Sequence, residues 1–178
     1  MNYTKEEINE MVNTPLNGAQ MQILNPNAKI YTYDQLLNFK TIEDLFRDTN
    51  KVIILYLVKN PHFGHWCCLF KQPRGYNFFD PYGEMVDDEL NYLTKQKRKE
   101  LHEERKYLHY LLQDKTCYYN YICFQGKKSQ TCGCHTSYRL QHSHLTIEEY
   151  AKQCFIDKGI NNPDIIVAEH CFTELGKV

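Results

Sequence analysis

Much that would narrow the choices quickly is scarce in this 178-residue chain. It has one tryptophan, eight glycines and six prolines, so collagen-like and proline-rich architectures are excluded. The longest clean apolar run, Val52–Val58, is far short of the roughly 20 residues a membrane-spanning helix needs. Neither sign of charge dominates: 21 Lys and Arg face 22 Asp and Glu, a formal net charge of −1, which suits neither a DNA-coating protein nor an acidic tail. There is no internal repeat, no low-complexity tract and no long linker. The first twelve residues, MNYTKEEINEMV, are polar and charged, so no secretory signal is expected. The Cys132-x-Cys134-His135 cluster and the Cys67-Cys68 pair near His65 both lack the C-x₂₋₄-C or H-x₃₋₅-H spacing of structural zinc sites. Adjacent cysteines on a strand also point to opposite faces, so no metal is expected.

What is present is a core. Hydrophobic residues make up 42% and aromatics 13%, too many for a disordered chain and enough for one folded domain over residues 1–178. Eight cysteines in a chain of intracellular character read as free thiols.

Local signals predict an α+β fold. Thr4-x-x-Glu7 is a capping box for a helix near 5–12, and Thr32-x-x-Gln35 and Thr41-x-x-Asp44 start two more short helices. Val52–Val58 is β-rich and apolar throughout, which predicts a strand buried on both faces. His65–Lys71 and Tyr76–Asp80 form a hairpin across Gln72-Pro73-Arg74-Gly75. Residues 87–113 are helical in propensity, exposed or interrupted at TKQKRKE, a solvated stretch of balanced charge. Thr116–Phe124 is expected as a strand and Cys132–His142 as a helix. Thr146-x-x-Glu149 caps a helix ending at Gly159, and Asn162-Pro163 opens the last one.

The hairpin carries the first chemical expectation. If its turn is centred on Pro73-Arg74, facing residues sum to 147, and Asp80 lies opposite Cys67. His65 shares the face of Cys67, diagonal to Asp80 and within reach of a His–carboxylate hydrogen bond. A three-residue turn would put Asp80 on the other face. The second expectation is Cys132, at a loop-to-helix junction where free backbone N–H groups and the helix dipole favour a thiolate. Gly133 permits close approach of another chain, and Gln125 carries an amide donor for an oxyanion. Cys134, about 200° further round the helix, should face the core.

Taken together, His65-Trp66, then Phe79-Asp80-Pro81-Tyr82-Gly83, then Gln125 seven residues before Cys132-Gly133, resemble the adenovirus-type cysteine proteases and their relatives, the SUMO proteases. The small size resembles the adenain-like proteases of virophages and Maverick-type elements. The motifs cover residues 52–142.

The resemblance implies a cysteine-proteinase fold, a small mixed sheet packed against the helix that bears the nucleophile. It implies Cys132 as nucleophile, His65 as base, Asp80 as the group that orients it and Gln125 in the oxyanion hole. Trp66 and Gly133 would contact substrate; the second tryptophan common in SUMO proteases is missing. The implied activity is cleavage of viral capsid or core precursors at Gly-rich or small-residue sites, in the virion and the infected-cell cytoplasm. No cofactor or membrane is implied, and a monomer is expected. An activating peptide or DNA, as adenoviral relatives use, stays open. So do deconjugation of ubiquitin-like modifiers and an inactive binding module of the same fold.

Overall fold

The computed structural model describes residues 3–60 and 63–176. It is an α+β fold built on a five-stranded mixed sheet in the order β1-β2-β3-β4-β5. The strands are β1 (Lys29–Thr32), β2 (Lys51–Asn60), β3 (Phe63–Gln72), β4 (Gly75–Phe79) and β5 (Cys117–Tyr119). β1 runs parallel to β2 and β5 parallel to β4, while β2, β3 and β4 are antiparallel neighbours.

β2 is the spine, and its continuous apolar sequence has the expected reason: both of its faces are buried. Ile53, Leu55 and Leu57 join one core with Trp66, Cys68, Phe70 and Phe79. Val52, Ile54 and Tyr56 join the other with Cys67, Leu69 and Phe78. The first core is closed by α1 (Lys5–Asn13), α2 (Gly18–Leu24), α6 (Cys132–Gln141), α7 (Ile147–Ala151) and α8 (Pro163–Glu174). The second is closed by α3 (Ile42–Leu45), by 3₁₀ turns at Tyr33–Asn38 and Asp88–Tyr92, and by α5 (Tyr107–Leu111). α4 (Lys95–Glu100) buries no residue, as its charge-rich sequence requires.

Caps set the helix starts. Thr4 and Glu7, Asn17 and Gln20, and Thr146 and Glu149 form reciprocal capping boxes. Pro163 follows the Asn162 cap at the start of α8.

Three expectations need adjustment, and two elements are added. The 87–113 stretch is three short pieces, because Leu93 is extended, at φ −102° and ψ 141°, and His102 takes a left-handed φ of 58°. The strand expected over Thr116–Phe124 is only Cys117–Tyr119, since the Asn120 side chain bonds the backbone of Asp80 and turns the chain away from the sheet. The helix after Thr146 changes after Ala151 into a π turn, Lys152–Ile156, before Gly159 ends it at φ 65°. α2 and β1 are additions: a seven-residue helix and a four-residue edge strand leave little periodicity to read.

The β3–β4 register is Cys68↔Phe79, Leu69↔Phe78, Phe70↔Asn77, Lys71↔Tyr76 and Gln72↔Gly75, each pair summing to 147. The turn is therefore Pro73-Arg74, and Asp80 continues the register opposite Cys67. At the start of β3 the strand lies hard against β2. A Cβ on Gly64 would stand 1.8 Å from the Tyr56 carbonyl oxygen, so only glycine fits beside His65. There the ladder shifts register, and Glu103 accepts the Leu57 N–H at 2.8 Å in place of a strand partner.

Candidate active site

Asp80 has no exposed surface, and its surroundings hold it from both ends. Its backbone N–H donates to Asn120 Oδ1 at 2.9 Å, and Asn120 Nδ2 returns a bond to the Asp80 carbonyl at 2.5 Å. Its Oδ1 accepts from the Tyr82 N–H at 2.7 Å, the Asx turn that Asp-Pro-Tyr-Gly encodes. The same oxygen lies 3.1 Å from His65 Nε2, and Oδ2 accepts from the Cys67 thiol at 3.4 Å.

His65 is 7% exposed, with the Tyr82 ring stacked on it at 4.9 Å and 15°. With Nε2 turned to Asp80, Nδ1 is the nitrogen left free for a thiol. The Cys132 side chain is near enough to the same ring to raise its pKa. Burial alone would lower the His65 pKa. The Cys67, Asp80 and Cys132 side chains reverse that and hold it well above its ordinary 6.5. Cys67 itself is pushed up by burial and then by the Asp80 charge.

Cys132 is the first residue of α6 and 8% exposed. Thr131 occupies the cap position but makes no cap bond; its hydroxyl donates to Asp164 Oδ1 instead, at 2.5 Å. The first amides of α6 are thus left without that acceptor, as an anion site needs.

Asp164 is a clasp that sequence spacing could not show. Besides Thr131 it accepts from His135 Nε2 at 2.9 Å and from the Gly126 N–H at 2.9 Å, tying α8 to the loop before Cys132. Burial opposes its charge, but these three donors win and hold the carboxyl below its usual value. Burial lowers the His135 pKa, so His135 stays neutral and gives its Nε2 proton to the carboxylate. Asp164→Ala should cost about 3–5 kcal/mol, because it leaves the Thr131 hydroxyl, His135 Nε2 and the Gly126 N–H without their acceptor. Urea unfolding checks this, and a loss under 1 kcal/mol would contradict the clasp.

Gln125 is buried beside the same turn. Its backbone N–H donates to the Pro81 carbonyl at 3.1 Å and its Nε2 to the Ser129 carbonyl at 3.1 Å. Its Oε1 is buried without a partner among the described residues. Trp66 is packed rather than open: its indole N–H donates to the Leu16 carbonyl at 2.9 Å and it is 6% exposed. Gly133 lies under it. A Cβ there would meet Leu16 Cβ at 3.1 Å, Met21 Sδ at 3.1 Å and Trp66 Cδ1 at 3.2 Å. Gly133→Ala should therefore overpack this junction and lower stability by about 1–3 kcal/mol. Thermal unfolding reads the change, and an unshifted midpoint would show the junction is loose. Cys134 is fully buried, as its place on α6 predicts.

One residue of the site was not anticipated. Glu89 Oε1 lies 3.7 Å from His65 Nε2, from the 3₁₀ turn that follows left-handed Asp87. Burial pushes the Glu89 carboxyl up to about 7. The only advance signal was an acidic run, Asp87-Asp88-Glu89, which by itself reads as surface.

Among the described residues no helix is long and apolar enough to cross a membrane. No protein-family model matches the chain. In fold it is similar to the central domain of the uncharacterized Lpg1148 protein of Legionella pneumophila, with a TM-score of 0.46 and 15% identity over 92% of this chain and 99% of that one. In sequence it is 33% identical over 137 residues to an uncharacterized protein, V9, of Sputnik virophage, covering 74% of this chain and 78% of that protein. The likeness extends over most of both chains, and the chain belongs to the family of this virophage protein.

Proposed function

We propose that this protein is a cysteine endopeptidase that cleaves viral precursor proteins at Gly-rich or small-residue sites. The observation that carries the reading is the convergence of Cys132, at an uncapped helix start, on an imidazole whose far nitrogen is held by the buried Asp80 at 3.1 Å. A thiol, a base and an orienting carboxylate in this relation are what thioester-forming hydrolysis needs.

The step runs as follows. His65 Nδ1 takes the Cys132 proton, and Sγ attacks the scissile carbonyl carbon. The oxyanion is met by the first amides of α6 and by the Nε2 hydrogen of Gln125 that does not bond Ser129. The imidazolium protonates the leaving amine as the C–N bond breaks, leaving a thioester. Water, deprotonated by His65, then releases the acid and restores the thiol. Asp80 fixes the ring and balances its charge. The raised His65 pKa gives the pH dependence: turnover declines on the alkaline side only as the imidazolium loses its proton, so that limb lies well above pH 6.5. A rate profile whose alkaline limb is centred at or below 6.5 would contradict the assignment.

A fluorogenic peptide panel run beside SUMO- and ubiquitin-coumarin tests the substrate class. Turnover of glycine-containing peptides alone supports the processing protease. Turnover of the modifier conjugates moves the reading to deconjugation, and turnover of neither leaves a binding module. The relationship to a virophage protein supports substrates from a viral particle and a site of action in the infected cell or virion.

A further inference from the structure

Cys67 is not a reacting group in the chemistry above, yet it is built into the site. His65, Cys67 and Asp80 present a ring nitrogen, a thiol sulfur and a carboxylate oxygen that all lie within 4.8 Å of one another, and all three residues are buried. A further carboxylate borders this trio. Glu89 Oε1 is 3.7 Å from His65 Nε2, its side chain is 10% exposed, and this oxygen is buried without a hydrogen-bond partner. Asp80 and Glu89 also group with Glu84, which makes the approach acidic.

We propose that His65, Cys67 and Asp80 form a Zn²⁺ site that switches the enzyme off, with a water in the fourth position and the Glu89 carboxylate beside it as an outer partner. The mix of thiolate, imidazole and carboxylate is that of zinc, where magnesium and calcium want oxygen alone. The spacing fits as well. A four-coordinate zinc with its usual bond lengths sets neighbouring ligand atoms about 3.3–3.6 Å apart. His65 Nε2 lies 3.1 Å from Asp80 Oδ1 and Cys67 Sγ lies 3.4 Å from Asp80 Oδ2, so the two carboxylate oxygens each face one of the other donors at this spacing.

Binding exchanges the Cys67 thiol proton for the metal. His65 binds through Nε2, so its remaining proton sits on Nδ1, and Nδ1 cannot accept the proton of Cys132. Zinc thereby removes the base without touching the nucleophile. The binding stands on the geometry alone, while its consequence rests on the cysteine-protease reading.

The test separates the two. The full-length Cys132→Ala chain, reduced and freed of metal, is titrated with Co²⁺ and then displaced with Zn²⁺. One equivalent should bind with a thiolate-to-cobalt charge-transfer band, and Cys67→Ser in that background should abolish the band. Glu89→Gln should weaken zinc binding at least about tenfold. It decides the matter if the Cys67 variant fails to fold. Absence of a band, or a band and affinity indifferent to both changes, would overturn the site. In the wild-type chain, zinc should suppress turnover reversibly with chelator, and Cys67→Ser should keep measurable turnover while escaping suppression. Activation by zinc would overturn the inhibitory role. A metal-free chain without any turnover would sink the protease reading and the switch with it, while the cobalt titration still decides the site.

Discussion

Cys132→Ala is expected to abolish turnover and leave the fold in place. The thiol is the first residue of α6, near His65, and its loss removes the sulfur that the proposed acyl intermediate needs. Loss of the nucleophile in a serine triad costs about 10⁶-fold in kcat, and a comparable fall is expected here. The fold should survive. Cys132 is at the rim of the core, and the contacts that hold α6 run through Thr136 to the Trp66 carbonyl and through His135 to Asp164. Circular dichroism and thermal unfolding should match the parent closely. The control is Cys134→Ala, which empties a fully buried position on α6 and should lower stability with activity retained. Full activity in Cys132→Ala, with loss in Cys134→Ala, would assign the nucleophile to the wrong thiol.

Asp80→Asn should lower kcat roughly 10- to 1,000-fold, less than the 10⁴-fold seen when a serine triad loses its carboxylate, because a thiol ionises more readily than a hydroxyl. The mechanism is tautomeric. Oδ1 now accepts from Tyr82 N–H and faces His65 Nε2, and an amide can turn its NH₂ toward that nitrogen. Nε2 then becomes an acceptor, the proton moves to Nδ1, and the base is turned off toward Cys132. The charge that balances the imidazolium is lost at the same time. KM should change little. Asp80→Glu keeps the carboxylate but adds a methylene to a side chain with no exposed surface. It should retain part of the activity and lose about 1–3 kcal/mol of stability. An Asp80→Ala enzyme with unchanged kcat would remove Asp80 from the site.

The hairpin shows how far sequence could go. A two-residue turn at Pro73-Arg74 fixes parity, parity fixes which side chains share a face, and that was enough to place Asp80 opposite Cys67 and beside His65. The start of α6 was legible too, from a polar loop running into Cys132-Gly133. What could not be read came from distant stretches of chain meeting without a local pattern. Asp164 reaches Gly126 and Thr131 from α8, at the far side of two intervening helical segments, so no spacing announced it. Glu89 arrives by way of a left-handed aspartate, which breaks the helical period that would have given it a face. The His65, Cys67 and Asp80 cluster lies outside zinc-motif spacing for a related reason: groups on alternate strand positions and across a hairpin do not follow the helical or knuckle spacings. Trp66, expected as a channel wall, is instead covered by Leu16, a segment the motifs never reached.

The central claim, that Cys132 is activated by His65 for acyl transfer, is tested most directly by mapping where a glycine-rich peptide vinyl sulfone attaches. The wild-type chain, with zinc chelated, should take up one equivalent, located on Cys132 by mass spectrometry of the digested protein. His65→Ala should take up almost none. The exposed thiol of Cys123 serves as the internal control, since its reaction with a simple alkylating agent should be the same in both proteins. Attachment spread over Cys123 and other thiols, or modification of Cys132 that proceeds equally well in His65→Ala, would contradict the account.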